Sequence, residues 1–121
     1  MHELSVCMAL LEQVQKIARQ HKATRVERIE LRIGPLSGVE ASLLERAYPL
    51  AASGTLAEDA QLVIESMSIK VRCSQCGAES EVLLNRLICS ACGDFRTRVI
   101  SGDEMLLSRV VLATAKKERQ H

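Results

Sequence analysis

The sequence predicts an α+β fold in which two helices cover a three-stranded sheet and a four-cysteine zinc ribbon is inserted before the last strand. Three observations lead there. Two stretches repeat apolar residues with a helical period. Three others behave as strands, alternating apolar with polar residues or running apolar. Four of the five cysteines fall in two C-x-x-C pairs. A length of 121 residues suits one domain with little room for a second independent core. With 47% apolar and 26% charged residues, the composition is that of an ordinary globular protein.

Residues 3–21 form the first helix. Leu4, Cys7, Leu10, Leu11, Val14, Ile17 and Ala18 make its apolar stripe, and Glu12, Gln13, Lys16 and Arg19 its wet side. Cys7 belongs to that stripe and reads as a small core residue. His21 closes the helix, where the dipole favours a cation. Residues 25–33 switch to a period of two, with Ile29, Leu31 and Ile33 against Arg28, Glu30 and Arg32, until Gly34-Pro35 stops the strand. Ser37-Gly38-Val39-Glu40 has the form of a capping box, so a second helix is expected from there. Leu43, Leu44, Ala47 and Tyr48 are its buried stripe, Pro49 bends or ends it, and Ser53-Gly54-Thr55 closes it. A second strand spans 61–72. Its apolar phase changes between Leu62/Ile64 and Met67/Ile69/Val71, which predicts a bulge near Glu65-Ser66. The last strand runs from about Met105 to Leu112, and the polar end through His121 is expected to fray. The division expected is residues 1–72 plus 99–121 as one α+β domain, and 73–98 as the ribbon.

Cys73-x-x-Cys76, twelve residues, then Cys89-x-x-Cys92 is the strongest chemical signal. Zn(II) takes four thiolates tetrahedrally at about 2.3 Å, and a two-residue spacer lets one turn aim both sulfurs of a pair at one point. Gly77 and Gly93 follow the second cysteine of each pair and permit a positive φ there, in turns whose amides can reach the sulfurs. The segment is about 26 residues, below the roughly 40 at which a core can stand unaided, so it needs the metal. With all four positions taken by protein, the zinc is structural. Two redox-active dithiols are the competing reading.

Other classes have little support. A net charge of +1, and a ribbon whose Arg86, Arg96 and Arg98 are balanced by Glu79, Glu81 and Asp94, give no basic surface for nucleic acid. Tyr48 and Phe95 are the only aromatic residues, too few for base stacking. The start lacks a signal-peptide pattern, and no apolar run approaches the roughly 18 residues of a membrane span. Paired cysteines without a secretory signal point to a reducing cytoplasm. With no phosphate loop, nucleophile elbow or His-Glu-x-x-His, an enzyme ranks lowest.

The start, Met1-His2-Glu3, is the second chemical feature. The α-amino group of Met1, the amide and imidazole of His2, and the amide of Glu3 form a short string of nitrogen donors. Fused chelate rings of nitrogen suit planar Ni(II) or Cu(II) better than tetrahedral Zn(II). A solvated surface histidine explains the same residue.

Met1-His2-Glu3-Leu4-Ser5, the stretch Leu31-Arg32-Ile33-Gly34-Pro35-Leu36-Ser37-Gly38-Val39-Glu40, both C-x-x-C pairs and Gly102-Asp103-Glu104-Met105 together resemble the HypA/HybF family of hydrogenase maturation nickel metallochaperones. The resemblance covers essentially the whole chain. It implies a cytoplasmic protein, not an enzyme, that delivers Ni(II) for [NiFe]-hydrogenase assembly. His2 would be the nickel ligand, joined by backbone nitrogens of Met1 and Glu3, with Glu3 and Glu40 as candidate supports. Cys73, Cys76, Cys89 and Cys92 would hold zinc. The implied partners are the pathway's GTPase, HypB, and the hydrogenase large-subunit precursor, with urease maturation served in some relatives. A zinc-ribbon adaptor in transcription or translation is the alternative.

Overall fold

The computed structural model describes residues 2–114. Helix α1 spans His2–Gln20, with Glu3 in its first turn and Arg19 in its last, each favourable to the helix dipole. It closes as the His21 amide reaches back to the carbonyls of Ile17 and Ala18. Lys22 then turns the chain at φ +54°, the one positive φ outside glycine among the described residues. Strand β1 (Ala23–Ile33) follows, then helix α2 (Ala41–Ala52). The remaining strands are β2 (Gln61–Ser66), β3 (Ile69–Cys73), β4 (Glu79–Val82), β5 (Thr97–Ser101) and β6 (Met105–Thr114).

They build two three-stranded sheets, ordered β2-β1-β6 and β4-β3-β5. In the first, Ser108 donates to the Glu30 carbonyl and Thr24 to the Ala113 carbonyl, so β1 and β6 run antiparallel. In the second, β3 pairs antiparallel with β4 on one side and β5 on the other. Two helices with a three-stranded sheet agree with the sequence expectation. The second sheet is additional.

The chain divides into two compact units, one of Met1–Leu31, Glu40–Ile64 and Leu107–His121, the other of Arg32–Val39 and Glu65–Leu106. The first has an aliphatic core of Cys7, Leu10, Leu11, Val14 and Ala18 from α1, Val26, Ile29 and Leu31 from β1, and Leu44, Tyr48 and Ala52 from α2. Each large side chain there contributes about 1.5–3 kcal/mol. The helices lie side by side in the same direction. The Glu40 amide meets the Glu3 carboxylate and the Cys7 thiol the Leu44 carbonyl, two contacts with the same separation of 37 positions. Buried Tyr48 donates to the Ala57 carbonyl at 2.8 Å, and burial, with the nearby Cys7, pushes its phenol up to about 12. In the second unit the buried apolar side chains are only Ile33, Ile69 and Val71 with Cys73 and Cys89. A Cβ on Gly34 would lie 2.1 Å from the Gly102 carbonyl oxygen, so glycine is required at that crossing.

Several expectations are corrected. The stretch 61–72 is not one strand with a bulge at Glu65-Ser66 but β2 and β3, which join different sheets. The phase change marks residues serving two cores. The capping box is absent. Helix α2 starts at Ala41 with Glu40 as N-cap and no side-chain cap bond. Gly38, at φ +79°, turns the chain, and the Ser37 hydroxyl accepts from the Val39 amide inside that turn. The expected end near Pro49 agrees with the structure, since α2 runs three residues further to Ala52 with Ser53 as its C-cap, and both Pro49 and Glu45 are exposed. Leu43 is exposed and Ala47 only half-buried, so the buried stripe of α2 is Leu44, Tyr48 and Ala52. The end expected to fray, with His121, lies outside the described residues.

Candidate functional site

Strand β3 ends on Cys73, and a turn returns the chain into β4 through Cys76 and Gly77. Cys89, Cys92 and Gly93 repeat that turn. In each, the glycine amide donates to the carbonyl of the first cysteine, at 3.0 Å from Gly77 and 2.8 Å from Gly93, with φ of +76° and +78°. The amides of Gln75 and Cys76 point at the Cys73 sulfur (3.3 and 3.4 Å), and that of Cys92 at the Cys89 sulfur (3.4 Å). The first cysteine of each pair is buried and the second exposed.

All four sulfurs lie within 4.8 Å of one another, with Cys73–Cys92 and Cys76–Cys89 each 3.6 Å apart. Metal–sulfur bonds of about 2.3 Å give a tetrahedron edge of roughly 3.8 Å, so this spacing fits zinc. It is far from the roughly 2.05 Å of a disulfide. The thiols oppose one another's ionisation. Donation from the Cys92 amide draws Cys89 down to about 7 against desolvation. At Cys92 the Asp94 amide lowers, but hydrogen bonding among the thiols with Cys73, Cys76 and Cys89, together with desolvation, pushes it up to about 12. Four thiolates in one place need a cation, and a divalent one answers that need.

The N-terminal residues are built differently. His2 opens α1 with its imidazole 58% exposed, Nδ1 3.4 Å from Oε2 of Glu3. Glu3 is buried, and the same Oε2 accepts the Glu40 amide at 3.4 Å. Its own amide leads in holding the Glu3 carboxyl below the usual carboxylate range, against desolvation, with help from the Glu40 amide and His2. Glu40 reaches this cluster through its backbone, and its side chain is exposed. Met1 lies outside the described residues. Sequence reasoning missed the Glu3–Glu40 link, which joins positions 37 apart with no local signal. Cys7 is fully buried, with its thiol pushed up by desolvation, and takes no part in either cluster.

A family model described as hydrogenase/urease nickel incorporation, metallochaperone, HypA matches residues 1–112. The hydrogenase maturation factor HypA of Nitrosospira multiformis is 53% identical over 114 residues, covering 94% of this chain and 99% of that one. The factor of the same name from Aquifex aeolicus is 40% identical, covering 93% and 97%. Among solved structures, the Ni metallochaperone HypA from Helicobacter pylori has a similar fold, with a TM-score of 0.70 at 24% identity over 93% of this chain and 97% of that one.

Proposed function

The chain belongs to the HypA family of hydrogenase/urease nickel incorporation metallochaperones, and on that premise we propose that it takes up Ni(II) at its N-terminus, through His2, and hands it on for [NiFe]-hydrogenase maturation. Membership in that family sets aside the reading as a transcription or translation adaptor. The ligands in this reading are the Met1 amine, the His2 amide and imidazole, and the Glu3 amide. The observation that carries it is the exposed His2 imidazole at the first residue of α1, beside a carboxylate already held by the Glu40 amide. The first amides of a helix have no intrahelical acceptor, so giving up their protons to a metal breaks no helical bond. Glu3 steadies the imidazole. Glu40 acts through its amide, with its carboxylate a lesser contributor. An exposed site that assembles around the ion can also release it, as delivery requires.

Cys73, Cys76, Cys89 and Cys92 are assigned to zinc, which when bound crosslinks the two turns and offers no open position for chemistry. Soft thiolates and planar nitrogens favour different geometries, so cargo and structural ion are kept apart. In this reading residues 1–72 with 99–121 carry nickel and 73–98 carry zinc. The receiving proteins are the GTPase HypB and the hydrogenase large-subunit precursor, with urease maturation proteins as further clients, in the cytoplasm. No helix among the described residues is long and apolar enough to cross a membrane. Titration of Ni(II) into zinc-loaded protein tests the site. The expected result is a weak d–d absorbance of a planar complex, absent in His2→Ala at unchanged zinc content.

A further inference from the structure

Cross-strand register places Glu79, Arg72 and Arg98 in one row across the second sheet. Arg72 is ion-paired with Glu79. Arg98, directly opposite Arg72 on the other side, is exposed, and its side chain has no hydrogen-bond or ion-pair partner among the described residues. Like charges directly opposite on neighbouring strands repel. Beside them lies a cleft of about 280 Å³ lined by Arg72, Cys73, Ser74 and Arg98.

Ser74 connects this cleft to the loop that carries Phe95. Its amide and hydroxyl both donate to the Arg96 carbonyl, at 2.9 and 2.7 Å. On the other side of Phe95, the Asp94 carbonyl accepts the Cys89 amide at 2.9 Å, and the Asp94 carboxylate is forked to the Arg96 guanidinium at 3.0 and 2.9 Å. That guanidinium lies 5.9 Å from the centre of the Phe95 ring. A loop pinned on both sides thus holds an aromatic ring 76% exposed. Rigid aromatics and arginines are the residues that anchor protein interfaces.

We propose that this surface docks a polypeptide segment of a partner in which apolar and acidic residues alternate. An apolar side chain packs on Phe95, and a neighbouring carboxylate pairs with Arg98 in the cleft. Glu79 already neutralises Arg72 and Asp94 neutralises Arg96, so Arg98 is the one uncompensated cation lining the cleft, which matches a single carboxylate and falls short of the several phosphate contacts that nucleic acid needs. A second copy centred on the cleft fits poorly, because only residues on a two-fold axis meet their own copies, and an axis through the cleft would set Arg98 toward Arg98. The proposal does not depend on the nickel site.

The test is fluorescence anisotropy of a labelled peptide of alternating Leu and Glu, against zinc-loaded protein at low salt. The same peptide with Gln for Glu and a single-stranded oligonucleotide serve as comparisons. The expected result is binding of the Glu peptide that weakens at least about 5-fold in Phe95→Ala and in Arg98→Gln. Binding should be unchanged in Arg86→Gln, an exposed arginine of the same module outside the cleft, and zinc content should be equal in all. Amide shifts centred on Phe95 and Arg98 would support it further. No binding, equal binding of the Gln peptide, tighter binding of the oligonucleotide, equal loss in Arg86→Gln, or self-association through Phe95 would overturn it.

Discussion

The cysteine module and the N-terminus both present metal donors, yet they are built on opposite plans. At the cysteines, two turns with the same hydrogen bonds aim four sulfurs to within 4.8 Å, and few other side chains are buried around them. At the N-terminus, His2 is exposed at the edge of a unit with its own aliphatic core. A closed set of ligands that its surroundings cannot replace suits an ion that stays. An open set leaning on a core that stands without it suits an ion that leaves. The difference lies in what each metal does for folding, so each region should fail in its own way.

The largest failure belongs to the cysteines. Cys73→Ser or Cys89→Ser should release zinc and unfold residues 73–98, since zinc supplies about 10–16 kcal/mol to modules of this kind. Metal analysis and amide spectra check it, with the core around Leu44 and Tyr48 expected to persist. The reciprocal break is Leu44→Ala, which removes a fully buried side chain and should cost about 2–5 kcal/mol. Zinc should stay bound while thermal unfolding of the first unit moves down. Gly34→Ala sharpens the contrast, because the added methyl meets backbone and not a side chain that could move. A loss of about 1–3 kcal/mol is expected, read as a lower melting temperature at full zinc occupancy. The smallest effect belongs to Glu40→Gln. With no side-chain cap bond, stability should stay within about 0.5 kcal/mol. Nickel affinity should barely change, because the amide and not the carboxylate meets Glu3.

What the sequence revealed follows the reach of the interactions involved. Helix α1, strand β1 and both cysteine turns are set by neighbours within a few positions, and their periodicity or spacing was readable. The division of 61–72 into β2 and β3 depends on which distant strand each half pairs with, and β4 and β5 are four and five residues long inside a stretch dominated by cysteines. Ser37 and Glu40 carry a local cap signature, but the turn at Gly38 and the Glu3 carboxylate reaching the Glu40 amide override it. At the site, the zinc set was complete in the spacing of the cysteines. Glu3, whose carboxylate meets the His2 imidazole, was visible only as its neighbour in sequence, and its second bond became visible only when the two helices were laid side by side.

The central claim is that the cargo site is the nitrogen string of the N-terminus and is separate from the thiolate cluster. It is tested most directly by adding one or two residues ahead of Met1. The extension leaves His2, Glu3 and all four cysteines unchanged but turns a basic amine, with a reference pKa of about 7.7–8.0, into an amide. Nickel affinity measured alongside zinc content should fall sharply while zinc remains at one equivalent. An extended protein that binds nickel as tightly as the native one, with the same absorbance, would contradict the account.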